Sequence, residues 1–248
     1  MKQQIISVIG LGFVGLPTAC ILANCQNKKL KNIFKVNGID RNLNKIKKEN
    51  FNFNSKSKII YEDKNLNKIL KKTILNNKIH FSDKIQEVSK SDIIIISINF
   101  DFNNKNSTKK FSELRNFFQR LGRSIKKNSL ILIEITLPPG TCDKVIIPIL
   151  KKSLKKRGMK LEDIYLSYSY ERVMPGKEYM NSIINNYRCY AGMNKSSSFK
   201  CRNFLKKYIN YKKFPLYEFD NLTDCEAAKI LENSYRAVNI AFIDEWTK

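Results

Sequence analysis

An apolar run, Ile5-Ile6-Ser7-Val8-Ile9, that stops at Gly10-Leu11-Gly12-Phe13-Val14-Gly15 leaves this chain little choice of local structure. β-Branched residues favour a strand. The first glycine permits a tight turn, the second lets the backbone approach a pyrophosphate, and the third lets a new helix pack against the strand. The free amides and positive dipole at the start of that helix then face the phosphates. The residues expected to hold a dinucleotide here are Gly10, Gly12, Phe13, Val14 and Gly15.

The next apolar run, Phe34-Lys35-Val36-Asn37-Gly38-Ile39, ends at Asp40. A carboxylate at that point accepts hydrogen bonds from a ribose diol and disfavours a 2′-phosphate, which selects NAD. Arg41 beside it can also neutralise such a phosphate, so NADP stays open at this level. Lys45, one turn further on, comes within reach of the cofactor's phosphates. The alternative is a glycine turn that binds nothing, and the pairing of turn with acid weighs against it.

Residues 5–23 are apolar behind Lys2, as in a signal peptide or membrane anchor. Against that, the three glycines and Pro17 fall at strand-to-helix turn positions, no A-x-A pattern follows, and Asn24 precedes Cys25. Six cysteines without a C-x-x-C pair fit a reducing cytoplasm. His80 is the single histidine, which excludes a histidine pair on a metal, and no metal is expected. It sits in a short strand, Lys78-Ile79-His80-Phe81, where it reads as solvated. A net charge of +24 raises nucleic acid as a partner. The lysines, however, are spread along the whole chain without a dense patch, so neither nucleic acid nor a membrane is expected.

Strands and helices alternate through the rest. A lysine-rich stretch, 42–76, with Leu43, Ile46, Leu66, Ile69 and Leu70, predicts two short helices. Ser91-Asp92-Ile93-Ile94-Ile95-Ile96-Ser97 and Ser129-Leu130-Ile131-Leu132-Ile133-Glu134-Ile135-Thr136 have the apolar character of strands buried on both faces of a parallel sheet. A polar loop, 99–109, is placed at the carboxyl edge beside the cofactor, and a helix is predicted over 110–126. After Pro138-Pro139-Gly140, Pro139 or Gly140 opens the next helix, and Ile164–Tyr168 is a further strand. This is the doubly wound, Rossmann-like α/β pattern of a mostly parallel sheet.

The end differs. Thr223-Asp224-Cys225-Glu226 has capping-box form. The following Ala227, Ala228, Ile230, Leu231, Tyr235, Val238, Ile240, Ala241 and Phe242 give a long helix a broad apolar surface. Lys229 and Asn233, at i and i+4, share a face. Two readings stand for them: stabilisation of a developing alkoxide, or a surface lysine beside an ordinary polar residue.

Val8-Ile9-Gly10-Leu11-Gly12-Phe13-Val14-Gly15-Leu16-Pro17, Thr136-Leu137-Pro138-Pro139-Gly140-Thr141, Glu171-Arg172-Val173-Met174-Pro175-Gly176 and Glu226-Ala227-Ala228-Lys229-Ile230-Leu231-Glu232-Asn233 together resemble the UDP-glucose/GDP-mannose dehydrogenase family. The form of the third motif, followed by Asn186-Tyr187-Arg188, resembles the branch acting on UDP-N-acetylhexosamines. The resemblance implies an NAD-dependent, two-step oxidation of a sugar nucleotide's C6 alcohol to a carboxylate, in polysaccharide biosynthesis. It implies that Thr136 orders an active-site water, that Glu171 serves in acid/base and hydrolytic steps, and that Lys229 and Asn233 stabilise an oxyanion. It divides the chain into an NAD-binding domain, 1–215, and the first helix of a central dimerisation domain, 216–248, with a homodimer formed through 223–247.

The chain departs from the family at Tyr170, where many relatives have proline, and at Asn99-Phe100, where many have Pro-Thr. Family members continue into a UDP-binding domain carrying a catalytic cysteine in Gly-Phe-Gly-Gly-x-Cys, and that motif does not occur here. Cys225 is a poor substitute, since small cysteines are usually buried in helix packing. Three readings remain: the amino-terminal portion of a dehydrogenase that holds its UDP-sugar weakly, half of a split enzyme completed by a second chain, or a residual NAD-binding module without turnover.

Overall fold

The computed structural model describes residues 3–44, 62–100, 102, 107–174 and 176–248. Lys45, Ile46 and part of the 99–109 loop lie outside the described residues. The strands are β1 (Gln4–Ile9), β2 (Phe34–Ile39), β3 (Ile79–Ser82), β4 (Ile93–Ile96), β5 (Leu130–Ile133), β6 (Tyr165–Tyr168), β7 (Arg188–Gly192) and β8 (Leu216–Glu218). The helices are α1 (Gly15–Ala23), α2 (Lys64–Leu75), α3 (Ser107–Gly122), α4 (Ile147–Lys155), α5 (Tyr179–Ile184), α6 (Lys195–Leu205) and α7 (Leu222–Trp246).

The strands form one sheet in the order β3-β2-β1-β4-β5-β6-β7-β8. Neighbours are parallel except β6 and β7. Register decides which residues can meet at the sheet's edge. Ile9 is level with Ile39 and Ile96, Ile96 with Ile133, and Ile133 with Tyr168. The loops leaving β1, β2, β4, β5 and β6 therefore start along one edge. The order reverses between β1 and β4, where an open α/β sheet has its crevice.

Side chains alternate across the sheet. Ile6, Val8, Ile93, Ile95, Leu130 and Leu132 join one core with α1, α2, α5 and α6. Ile9, Ile94, Ile96, Ile131 and Ile133 join the other with α3, α4 and the start of α7. Strands buried on both faces explain why β4 and β5 are unbroken apolar runs. His80 in β3 is largely exposed, with Nε2 3.0 Å from Glu87 Oε2.

Three features differ from the sequence reading. Residues 179–218 add α5, β7, α6 and β8, with β7 antiparallel to β6. Their apolar residues are interrupted by polar ones, and β7 opens on a buried arginine, so no long apolar run announces them. The helix after β5 opens at Gly140, whose carbonyl accepts from the Lys144 amide at 2.9 Å, but its first turns are a π segment, Cys142–Ile146, leading into α4.

The third is the start of α7. Its cap is Asn221, whose Oδ1 accepts from the Asp224 amide at 2.8 Å. Thr223 instead donates to Asp143 Oδ2 at 3.0 Å. Glu226 does not fold back on its own helix either. Fully buried, it accepts from the Gly140 amide (2.6 Å) and the Cys142 amide (2.9 Å). Two buried amides at a helix start need an acceptor more than the exposed amides of α7 do.

Beyond its first turns α7 is bare. Leu222, Cys225, Glu226 and Lys229 are its buried residues. Leu231, Tyr235, Val238, Ile240, Phe242, Ile243 and Trp246 are exposed, Trp246 by 77%. Among the described residues no helix is long and apolar enough to cross a membrane.

Replacing Glu226 with alanine strands two buried amides, and we expect a loss of about 2–4 kcal/mol in urea unfolding. Thr223→Ala, at an exposed contact, should cost less than about 0.5 kcal/mol. Equal losses would return the capping role to Thr223.

Candidate dinucleotide cleft and a buried lysine at its edge

The glycine turn is shaped by contacts that tolerate no side chain at two positions and leave room at the third. Gly10 has φ +90°, and a Cβ there would lie 2.7 Å from Ser97 O. At Gly15 it would lie 1.8 Å from Gly10 O, inside any contact distance. At Gly12 it would meet nothing within 4 Å. That open space beside an uncapped α1 is what a pyrophosphate approaching helix amides requires.

Asp40 braces this turn. Its Oδ2 accepts from the Leu11 amide and its Oδ1 from the Asn42 amide, each at 2.8 Å. A carboxylate has about four lone-pair directions, so two such bonds fix its orientation and leave acceptors for a ribose diol. Arg41 is exposed beside it. Lys45 lies outside the described residues.

A cleft of ≈ 700 Å³ runs from Asp40 and Arg41, past Gly10, Gly12, Phe13 and Val14, to Thr136 and Glu171. Thr136, exposed just beyond β5, and Glu171, just beyond β6, reach it because those strands end level. Asn99 and Phe100 also line it. Phe100, at one of the two departures from the family pattern, is buried against Phe117 with ring centroids 6.1 Å apart.

Lys229 meets Glu171 from α7. Its Nζ donates to the Glu171 main-chain oxygen at 2.8 Å and lies 3.5 Å from Glu171 Oε1. The residue is only 7% exposed. Tyr170, the other departure, places its ring centroid 5.4 Å from that ammonium, within cation–π range. Glu171 Oε2 accepts from the Val173 amide at 2.7 Å. Arg172 pairs with Glu232 of α7 at 3.0 Å. The loop after β6 is thus tied to α7 on both sides of Glu171. Lys229 touches the cleft only through Glu171, and neither it nor Asn233, which is exposed one turn further on, is among the cleft-lining residues. Cys225 is buried with Sγ toward Tyr168 O, and burial pushes its thiol pKa up, which makes it unreactive.

Beneath this edge lies an ion pair that the sequence reading did not single out. Arg188 Nη2 donates to Glu134 Oε1 with both side chains buried, and Tyr208 Oη lies 3.4 Å from the same oxygen. Burial pushes the Glu134 carboxyl upward against the pull of Arg188, and Glu171 adds to the rise. Burial works against the Arg188 cation too, but Glu134 outweighs it and holds the group protonated. A lone charge ending the apolar run of β5 was the available signal.

A level-ended parallel sheet, a glycine turn at the switch point and an acid closing β2 define a dinucleotide-binding Rossmann protein. Residues 4–210 match the NAD binding domain of the UDP-glucose/GDP-mannose dehydrogenase family, and the chain belongs to that family of NAD-dependent oxidoreductases. It is 31% identical over 246 residues to a UDP-N-acetyl-D-mannosamine dehydrogenase of Methanococcus maripaludis, covering 98% of this chain and 50% of that one. A similarly named protein of Campylobacter jejuni is 29% identical, with 97% and 55% covered. The solved UDP-D-ManNAc dehydrogenase of Pyrococcus horikoshii superposes with a TM-score of 0.77 at 25% identity, covering 98% of this chain and 53% of that one. The chain spans about half the length of these relatives.

Gly12→Val should keep its fold and lose NAD binding, because the new side chain fills the approach path. Gly15→Ala should lose the fold with the cofactor, because its Cβ has nowhere to go. Calorimetry with NAD and thermal melts of both variants check this. Wild-type affinity in Gly12→Val would remove the cofactor from the turn.

Proposed function

We propose that this chain is the cofactor-binding half of an NAD-dependent UDP-sugar 6-dehydrogenase, oxidising the C6 alcohol of a UDP-N-acetylhexosamine to a carboxylate. The contact of Lys229 with Glu171, at the far end of a cleft that begins at Asp40, carries this reading. Bound NAD supplies the hydride acceptor. The chain's own residues handle protons and charge. Glu171, held through Oε2, keeps Oε1 for proton transfer at the carboxyl edge of the sheet. Lys229, desolvated and held by the Glu171 main chain, stabilises negative charge developing on the sugar oxygen more strongly than an exposed lysine would. Thr136 orders the water that the second oxidation consumes. Asn233 adds its amide from the next turn of α7.

The names of the relatives support the amino-sugar assignment. The nucleotide grip and the cysteine nucleophile belong to the other half of the relatives' length, in the same polypeptide or in a second chain. The bare apolar stripe of α7 supports a homodimer through 223–247, since exposed patches of this kind favour association. The six unpaired cysteines accord with a reducing cytoplasm.

The test follows NADH formation with UDP-N-acetylmannosamine. Residues 1–248 alone should bind NAD and form no uronic acid. Adding a chain that carries Gly-Phe-Gly-Gly-x-Cys should restore turnover, and Lys229→Ala or Glu171→Gln should then lower it by about 100-fold or more. A UDP-uronic acid formed by residues 1–248 alone would refute the division of labour. Light scattering at micromolar concentration should report a dimer, and a clean monomer would remove α7 as the interface.

A further inference from the structure

The peptide between Phe13 and Val14 is gripped from behind. Tyr179 Oη donates to Phe13 O at 2.5 Å, bridging 166 positions of sequence. A peptide unit is planar and its C=O and N–H point in opposite directions. A donor that fixes the Phe13 oxygen therefore also fixes the direction of the Val14 N–H. Val14 is the cap residue of α1, the helix has no side-chain cap, and Val14 lines the cleft.

We propose that Tyr179 is a positioning residue for the cofactor, aiming the Val14 amide at the pyrophosphate of NAD bound in the glycine turn. The hydrogen bond also polarises the peptide, which strengthens its N–H as a donor to an anion.

Tyr179 is suited to this because it is held rigidly. It is buried at the first position of α5. Its own carbonyl accepts from Ser182 Oγ at 2.6 Å, and that hydroxyl accepts from the Met174 amide at 3.1 Å. The adjacent Met180 amide donates to Asp63 Oδ2 at 2.8 Å, while Asp63 Oδ1 caps α2 through the Asn65 and Leu66 amides. Burial raises the Tyr179 pKa and the charge of Glu171 adds to it, so the phenol keeps its proton at neutral pH. The same stretch, 171–179, carries Glu171 at one end and the grip on the turn at the other. Cofactor and reacting edge are thereby positioned by one piece of chain.

The inference rests on NAD occupying the turn, so wild-type binding is measured first by calorimetry. Tyr179→Phe, which removes one oxygen, should bind NADH about three- to tenfold more weakly. It should also shift the ³¹P resonances of the bound pyrophosphate, a signal that a purely structural tyrosine would leave alone. Unchanged affinity and unchanged ³¹P shifts in a folded variant would overturn the role of Tyr179 and leave the cofactor assignment standing. A wild-type chain that fails to bind NAD would overturn both. Where Tyr179→Phe does not fold, amide exchange of the ¹⁵N-labelled wild-type chain decides: NAD should slow the Val14 amide, and an unprotected Val14 would sink the proposal.

Discussion

Gly15 sits so close to Gly10 that a single added carbon would lie 1.8 Å from the Gly10 carbonyl. This contact brings α1 down onto β1, and every residue of α1 is buried as a result. Two apolar faces then need cover, and the right-handed crossovers of a parallel sheet provide it on both sides. The amides at the start of α1 end up at the carboxyl edge of the central strand, facing the crevice where strand order reverses. The placement of α1 on the sheet and of its first amides at the crevice thus follow from one steric constraint.

The edge is furnished by parallel register. Because β1, β2, β4, β5 and β6 end level, residues separated by more than a hundred positions line the same cleft. Asp40 contributes twice, bracing the turn through the Leu11 amide and presenting a fixed carboxylate. The loops after β5 and β6 are both tied to α7. Glu226 anchors the first through the Gly140 and Cys142 amides, and Lys229, one turn along the same helix, anchors the second through Glu171. Two side chains three residues apart therefore hold the Thr136 and Glu171 loops to a single helix.

Much of this was legible in the residues. The glycine spacing and Asp40 specify chemistry through backbone geometry, which needs no long-range information. The isoleucine runs of β4 and β5 declare burial on both faces. Residues 179–218 were not legible because no long apolar run marks their elements, and what holds them is a shared core: Tyr190, Cys201, Phe204 and Tyr208 are buried with Ile6, Val8 and Leu132 of the central strands. The capping box at Thr223 misleads for a related reason. A glutamate three residues into a helix signals its own cap only when no needier amides lie nearby, and proximity of that kind is a tertiary fact.

The sequence by itself determined the strand-turn-helix at Gly10–Gly15, the acid that closes β2, the doubly wound alternation and the family motifs carrying Thr136, Glu171, Lys229 and Asn233. These are local patterns, and local sterics and periodicity suffice for them. Only the tertiary structure decided that Lys229 is buried against Glu171 while Asn233 stays exposed, that Glu226 reaches across to another helix, that Glu134 and Arg188 pair beneath the edge, and that Tyr179 grips the glycine turn. Each of these joins residues at least 50 positions apart or turns on which face of a helix is covered. Neither separation nor cover is written in the spacing of residues along one segment.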